Sequence, residues 1–255
     1  MPSLFEIAIL IAAGILSGFI NALASSGSTV TLPLLLFLGL PPTIANATNR
    51  MPIMAGSLMA MYNFNQSKMI NWRKALIITI PVVLGTVTGV IIASLLPGKV
   101  VGVMITIAVI IAMILILSNV RSLLTKKGLA EPRMRWFHYI VFYFIGLWSG
   151  LIVLDAASLI LLGLVLGVGF ELLHANAIKN YLLFVISFLS VVIFGFEKEM
   201  NWTIAFILSA GSIFGAYLGS KFAQRESAKI WIYRILLTIV AVEIVQLVFR
   251  VANSK

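Results

Sequence analysis

Long apolar runs recur from one end of this chain to the other, and that recurrence constrains its fold more than any other feature. Ten can be marked, near residues 4–23, 28–40, 45–64, 75–96, 100–118, 137–153, 157–168, 174–196, 203–221 and 230–250. About 20 apolar residues are needed to cross a hydrocarbon core, and most of these runs approach that length. Charged residues make up only 10% of the 255, hydrophobic ones 61%, and the mean hydropathy is +1.12. Roughly a quarter of a soluble chain is charged, so this one cannot clothe itself in water and its solvent is lipid. The repeated runs exclude a soluble domain on a single anchor. Residues 1–24 lack the basic leader of a secretory signal and are read as part of the fold.

Two of the runs, 28–40 and 157–168, are too short to span upright at about 1.5 Å per residue. Each follows a small or polar interruption, "ALASSGST" at 22–29 and "VLDAAS" at 153–158. A helix, a break and a short helix predict a broken helix or a re-entrant hairpin, which lipid tolerates only where protein or a wet cavity shields it.

The chain also matches itself when displaced by 130 positions. Between 45–89 and 175–219 no gap is needed, and 12 of 45 positions are identical. The polar and glycine matches carry the weight: Asn46 with Asn176, Ser57 with Ser187, Asn71–Trp72 with Asn201–Trp202, and Gly85 and Gly89 with Gly215 and Gly219. The four-residue glycine spacing lets helices approach closely. The fold class predicted is an all-α polytopic membrane protein of two five-segment repeats, each with a broken or re-entrant pair. Its parts are 1–120, a basic linker at 121–136, and 137–255. Five is odd, so the second copy starts on the opposite side and the repeats are inverted.

The net charge of +10 fits this arrangement better than it fits a nucleic-acid partner. Lys68, Arg73, Lys74, Arg121, Lys126, Lys127, Arg133, Arg135, Lys221, Arg225 and Lys229 fall on one side; Lys99, Lys198, Arg250 and Lys255 fall on the other. Basic loops stay cytoplasmic, which predicts both termini on the outer side of the membrane. No cysteine is present, so disulfides, thiolate catalysis and cysteine metal sites are excluded. His138 and His174 flank helix starts without companion ligands, so neither a metal nor a cofactor is expected.

Inverted repeats with interrupted helices are the architecture of secondary transporters, with the substrate near the midplane. The breaks favour an anion, because a new helix N-terminus presents free N–H groups and about half a positive charge. Ser25, Ser26, Gly27, Ser28 and Thr29 stand at the first break, and Asp155 and Ser158 at the second. The polar motif "ANATNR" (45–50) recurs as "ANAIKN" (175–180), each opening the long helix after a short one. Asn46, Thr48, Asn49 and Arg50 are candidates for binding substrate, as are Asn176, Lys179 and Asn180. A cation inside the membrane faces a cavity or a counter-charge. Two from opposite halves can hold a dianion or an anionic head group. The competing reading makes the asparagines helix caps and lets the cations snorkel toward head groups. Asp155 is either a protonatable coupling group or a standing partner of Lys179 or Arg50. Glu243 and Arg234 read as a local or dimer-facing pair.

The stretches "TLPLLLFL" (31–38), "GLPPTIANATNR" (39–50) and "ANAIKN" (175–180), with the glycine-rich fourth helix of each half, resemble the TauE/SafE family. These are prokaryotic permeases described as sulfite exporters and organosulfonate carriers. The resemblance covers about Gly18 to Gly219. It implies a two-repeat permease for small sulfur-containing anions, driven by the proton gradient. Where the family has glycines at its breaks, this chain has "ASSGS" (24–28) and "LDAAS" (154–158).

Function is therefore read as secondary transport of a small anion such as sulfite, thiosulfate or an organosulfonate, with lipid, substrate and protons as partners and a homodimer as an open possibility. An anion channel of the same fold is the alternative, separable by saturation and response to a proton gradient. An intramembrane enzyme would need a nucleophile with a base or paired acids, and the chain offers neither H-E-x-x-H nor cysteine.

Overall fold

In lipid every backbone N–H and C=O must find its partner within the protein, which leaves helices as the economical solution for such a chain. The computed structural model describes residues 2–23, 27–104, 107, 128–129, 131–152, 154, 156–196, 200–225 and 228. Its helices are α1 (Leu4–Leu23), α2 (Ser28–Phe37), α3 (Pro42–Thr48), α4 (Arg50–Gln66), α5 (Trp72–Leu95), α6 (Trp136–Leu151), α7 (Ala156–Leu162), α8 (Leu172–Phe196) and α9 (Trp202–Ala223). Residues 98–104 are helical too. The wider turn Gly163–Val168 prolongs α7. Of these, α1, α5, α8 and α9 are long and apolar enough to cross a bilayer. Large apolar side chains such as Ile80, Leu84, Phe144 and Phe206 point outward, the reverse of a water-soluble surface. The chain is an all-helical membrane protein.

The element boundaries follow the apolar runs closely, with one correction. The run at 45–64 was expected as a single helix and is two, α3 and α4, interrupted at Asn49. Pro52 has no N–H to offer the carbonyl four residues back, so the helix cannot close there. The second copy has Leu182 at that position and α8 runs unbroken. The run at 230–250 and most of that at 100–118 lie outside the described residues, as do Ser25, Ser26 and Asp155.

Residues 130 positions apart make like structures. Gly39 and Gly169 both close a short helix with positive φ, +82° and +93°, a conformation that costs glycine nothing. Asn71 accepts from the Lys74 N–H at 3.2 Å, and Asn201 from the Ile204 N–H at 3.1 Å, so both open the following helix as N-caps. These two caps lie at opposite ends of α4. Asn71 follows its C-terminal end, whereas the Asn201 N–H donates to Oγ1 of Thr48 just before its N-terminal end, at 3.0 Å.

The halves interlock. Helix α9 of the second copy lies along α1 of the first, and α5 of the first lies along α6 of the second. A Cβ on Gly215 would stand 1.9 Å from the Ile15 carbonyl oxygen, and one on Gly85 would stand 2.0 Å from that of Tyr143. Only glycine permits helices this close. At the centre α4 crosses α8: Arg50, at the start of α4, reaches Ser190 late in α8. Asn21 joins Ser57, further along α4, to Lys179 early in α8. The two helices therefore run in opposite directions across each other.

Each first helix and the short helix after it also open on one end of the molecule. Pro2 and Glu6 of the first and Leu38 after the second line one cavity of about 380 Å³, together with Asn201. Leu129 and Pro132, ahead of α6, and Phe170, after the wide turn, line another of about 290 Å³ with Asn71.

Candidate functional site

The two polar motifs do the same thing to opposite halves. Asn46 Nδ2 donates to the Leu151 carbonyl at the end of α6, at 3.0 Å. Arg50 places its two Nη groups on the carbonyls of Ser149, in a short hydrogen bond, and Gly150, at 2.8 Å. Nη1 also reaches Ser190 Oγ at 3.3 Å, and the guanidinium lies 5.8 Å from the Phe194 ring centroid. In the second copy Asn176 Nδ2 donates to the carbonyls of Ala22 and Leu23 at the end of α1, both at 2.9 Å. Lys179 Nζ donates to the Asn21 carbonyl at 2.6 Å. Each motif thus binds the C-terminal carbonyls of the other half's first helix.

The chemistry suits the residues. The last carbonyls of a helix have no intrahelical donor and carry about half a negative charge. An amide and a cation one turn apart supply donors and positive charge together. Both cations are 0% exposed, so neither snorkels, and the asparagines cap C-terminal rather than N-terminal helix ends. Neither Arg50 nor Lys179 meets a carboxylate among the described residues; the ion pairs there are Arg133 with Glu131 and His174 with Glu171. A helix end offsets only about half of each charge, so among the described residues each cluster keeps a net positive charge.

The clusters are separate. Ser190, which the guanidinium touches, stands three helical turns beyond Lys179 on α8, roughly 16 Å of axis.

The other predicted residues are distributed as follows. Ser28 and Thr29 are buried in the first turn of α2, and Ser158 in α7. A Cβ on Gly27 would meet the Ser17 carbonyl oxygen at 2.1 Å, so its smallness serves the approach of α2 to α1. Thr48 holds the Asn201 N–H. Asn49 accepts from Thr31 Oγ1 at 2.5 Å, tying α2 to the interruption between α3 and α4. Asn180 Nδ2 donates to the Asn176 carbonyl at 2.9 Å, which steadies the neighbouring amide. Sequence reasoning missed Asn21, Thr31, Trp148, Ser149 and Ser190. Asn21 was detectable as a lone amide inside the first apolar run. Ser149 and Gly150 contribute backbone carbonyls, which no side chain announces.

A polytopic helical bundle whose buried cations meet no carboxylate among the described residues is in keeping with the membrane transporters, and sequence comparison agrees. The family model described as "Sulfite exporter TauE/SafE" matches residues 10–247. The chain belongs to that family. It is 30% identical over 226 residues to a "Probable membrane transporter protein" of Haemophilus influenzae, covering 86% of each chain. It is 27% identical over 228 residues to the "Probable membrane transporter protein ORF9" of a Sinorhizobium species, covering 88% of this chain and 85% of that one. It is 25% identical over 235 residues to the "Probable membrane transporter protein YfcA" of Escherichia coli K12, covering 90% and 85%. No solved structure matches significantly.

Proposed function

We propose that this protein is a secondary transporter of small sulfur-containing anions, sulfite, thiosulfate or short organosulfonates, working by alternating access between two inverted repeats. The observation that carries the reading is the pair of fully buried cations, one per half, each met by helix-end carbonyls and by no carboxylate among the described residues. Buried positive charge of this kind is costly unless a counter-charge visits it. The family description supplies the sulfur chemistry.

Three further features support the inverted arrangement. The repeat-related N-caps sit at opposite ends of α4. The glycine contacts are exchanged between halves. Each short helix ends beside the start of the helix before it, as a re-entrant hairpin would. In this reading 1–120 and 137–255 are the repeats, 121–136 is the cytoplasmic linker, and the protein sits in the inner membrane with both termini outside. Protons drive transport, with Asp155 as the coupling carboxylate.

The test is uptake of labelled sulfite, thiosulfate and a short sulfonate into proteoliposomes. Saturable flux that follows an imposed pH gradient is expected, and Asp155→Asn abolishes its proton dependence. Absence of flux for all three anions would refute the assignment. Cysteines placed singly at 71 and 201 are expected to react from opposite faces of sealed vesicles; reaction from one face rejects the inversion.

A further inference from the structure

The two clusters differ in what they leave unpaired. Among the described residues, three buried donors on Arg50 and its surroundings lack a partner: Arg50 Nε, Asn49 Nδ2 and Trp148 Nε1. Trp148 directly precedes the Ser149 carbonyl that Arg50 binds, and packs against the same apolar cluster as Met51. Beside Lys179 the unpaired atom among the described residues is Asn180 Oδ1, an acceptor; Ser187 Oγ, one turn before Ser190 on α8, is unpaired nearer the Arg50 cluster and can act either way. Buried donors without acceptors are rare in folded proteins. The guanidinium's own Nε and two more on Asn49 and Trp148 make this cluster the place where we look for an acceptor that comes and goes.

We propose that the anion binds at the Arg50 cluster alone, as a singly charged oxyanion accepting from Arg50 Nε, Asn49 Nδ2 and Trp148 Nε1, while Lys179 serves as a clamp on α1. This rests on the reading of the chain as an anion carrier. Three N–H donors match the three oxygens of a sulfonate or hydrogensulfite head. Among the described residues the guanidinium less the helix end leaves about half a positive unit, which favours a singly charged head over a doubly charged one. Of the proposed substrates thiosulfate, a dianion, is therefore expected to bind more weakly than a sulfonate or hydrogensulfite. Among the described residues Lys179 has no comparable set of free donors around it, and its ammonium is committed to the Asn21 carbonyl.

Ligand binding to the folded form raises the melting temperature, so the purified full chain can be titrated with methanesulfonate and with sulfate. Methanesulfonate is expected to stabilise it saturably, with sulfate at least about tenfold weaker. Trp148→Phe keeps the packing and removes one N–H, and is expected to weaken methanesulfonate by about tenfold. Lys179→Gln retains a donor for Asn21 and is expected to slow turnover while changing affinity by less than about twofold. Loss of binding in Lys179→Gln with none in Trp148→Phe overturns the site but leaves the carrier reading standing, as does sulfate binding equal to methanesulfonate. A wild-type protein that no anion stabilises overturns both.

Discussion

Arg50 and Lys179 occupy like positions in duplicated motifs, yet they grip unequally. Arg50 spreads a planar fork over two consecutive carbonyls and adds Ser190 and the face of Phe194. Lys179 places one point charge on a single carbonyl, while Asn176 takes two more. A guanidinium holds two acceptors in fixed geometry and an ammonium does not. The two matching motifs share one job, closing the end of the first helix on the opposite side of the chain, while their grips differ in strength and in what they leave free.

The comparison can be broken most forcefully at the cations. Arg50→Ala orphans two carbonyls and is expected to cost about 3 kcal/mol of stability, against about 1 kcal/mol for Lys179→Ala. Denaturation in matched detergent ranks them, and equal losses would erase the asymmetry. Both variants are also expected to reduce anion uptake, Arg50→Ala more severely.

The glycine contacts ask whether the halves are equivalent in packing. Gly85→Ala and Gly215→Ala each press a Cβ into a backbone oxygen of the other half and are expected to cost about 1–3 kcal/mol. Tolerance at one and not the other would show that the two interhelical seams are not alike. The caps give a smaller effect: Asn71→Ala and Asn201→Ala are each expected to lose about 1 kcal/mol, read as matched drops in melting temperature.

The smallest effect probes a place where the matching stretches differ in backbone. Pro52→Ala restores an N–H for the Thr48 carbonyl, changing stability by less than about 1 kcal/mol. Amide exchange at residues 50–53 is expected to slow toward that at 180–183 in the unbroken α8. Unchanged exchange would mean that something other than Pro52 interrupts the first copy.

Much of the fold was legible beforehand. Helix ends at Leu23, Leu151 and Phe196 fall within a few residues of the apolar runs, because lipid forces length and polarity to change together. The split at Asn49 was missed although Pro52 stood in plain view, since a proline near a helix start is as often tolerated as disruptive. Of the site, the motif residues were readable and their partners were not. Asn46 and Asn176 announced themselves by recurring; the carbonyls of Ala22, Leu23 and Leu151 carry no mark in a sequence.

By itself the sequence determined that this is a helical membrane protein, that residues 45–89 match residues 175–219, and that an amide and a cation recur at matched places. Composition and spacing suffice for that, because solvent and chain geometry act locally. Only the tertiary structure decided that each motif grips the opposite half, and that the two cations stand apart. Both follow from α4 and α8 crossing in opposite directions, which sets the separation of their side chains and is encoded in no single stretch.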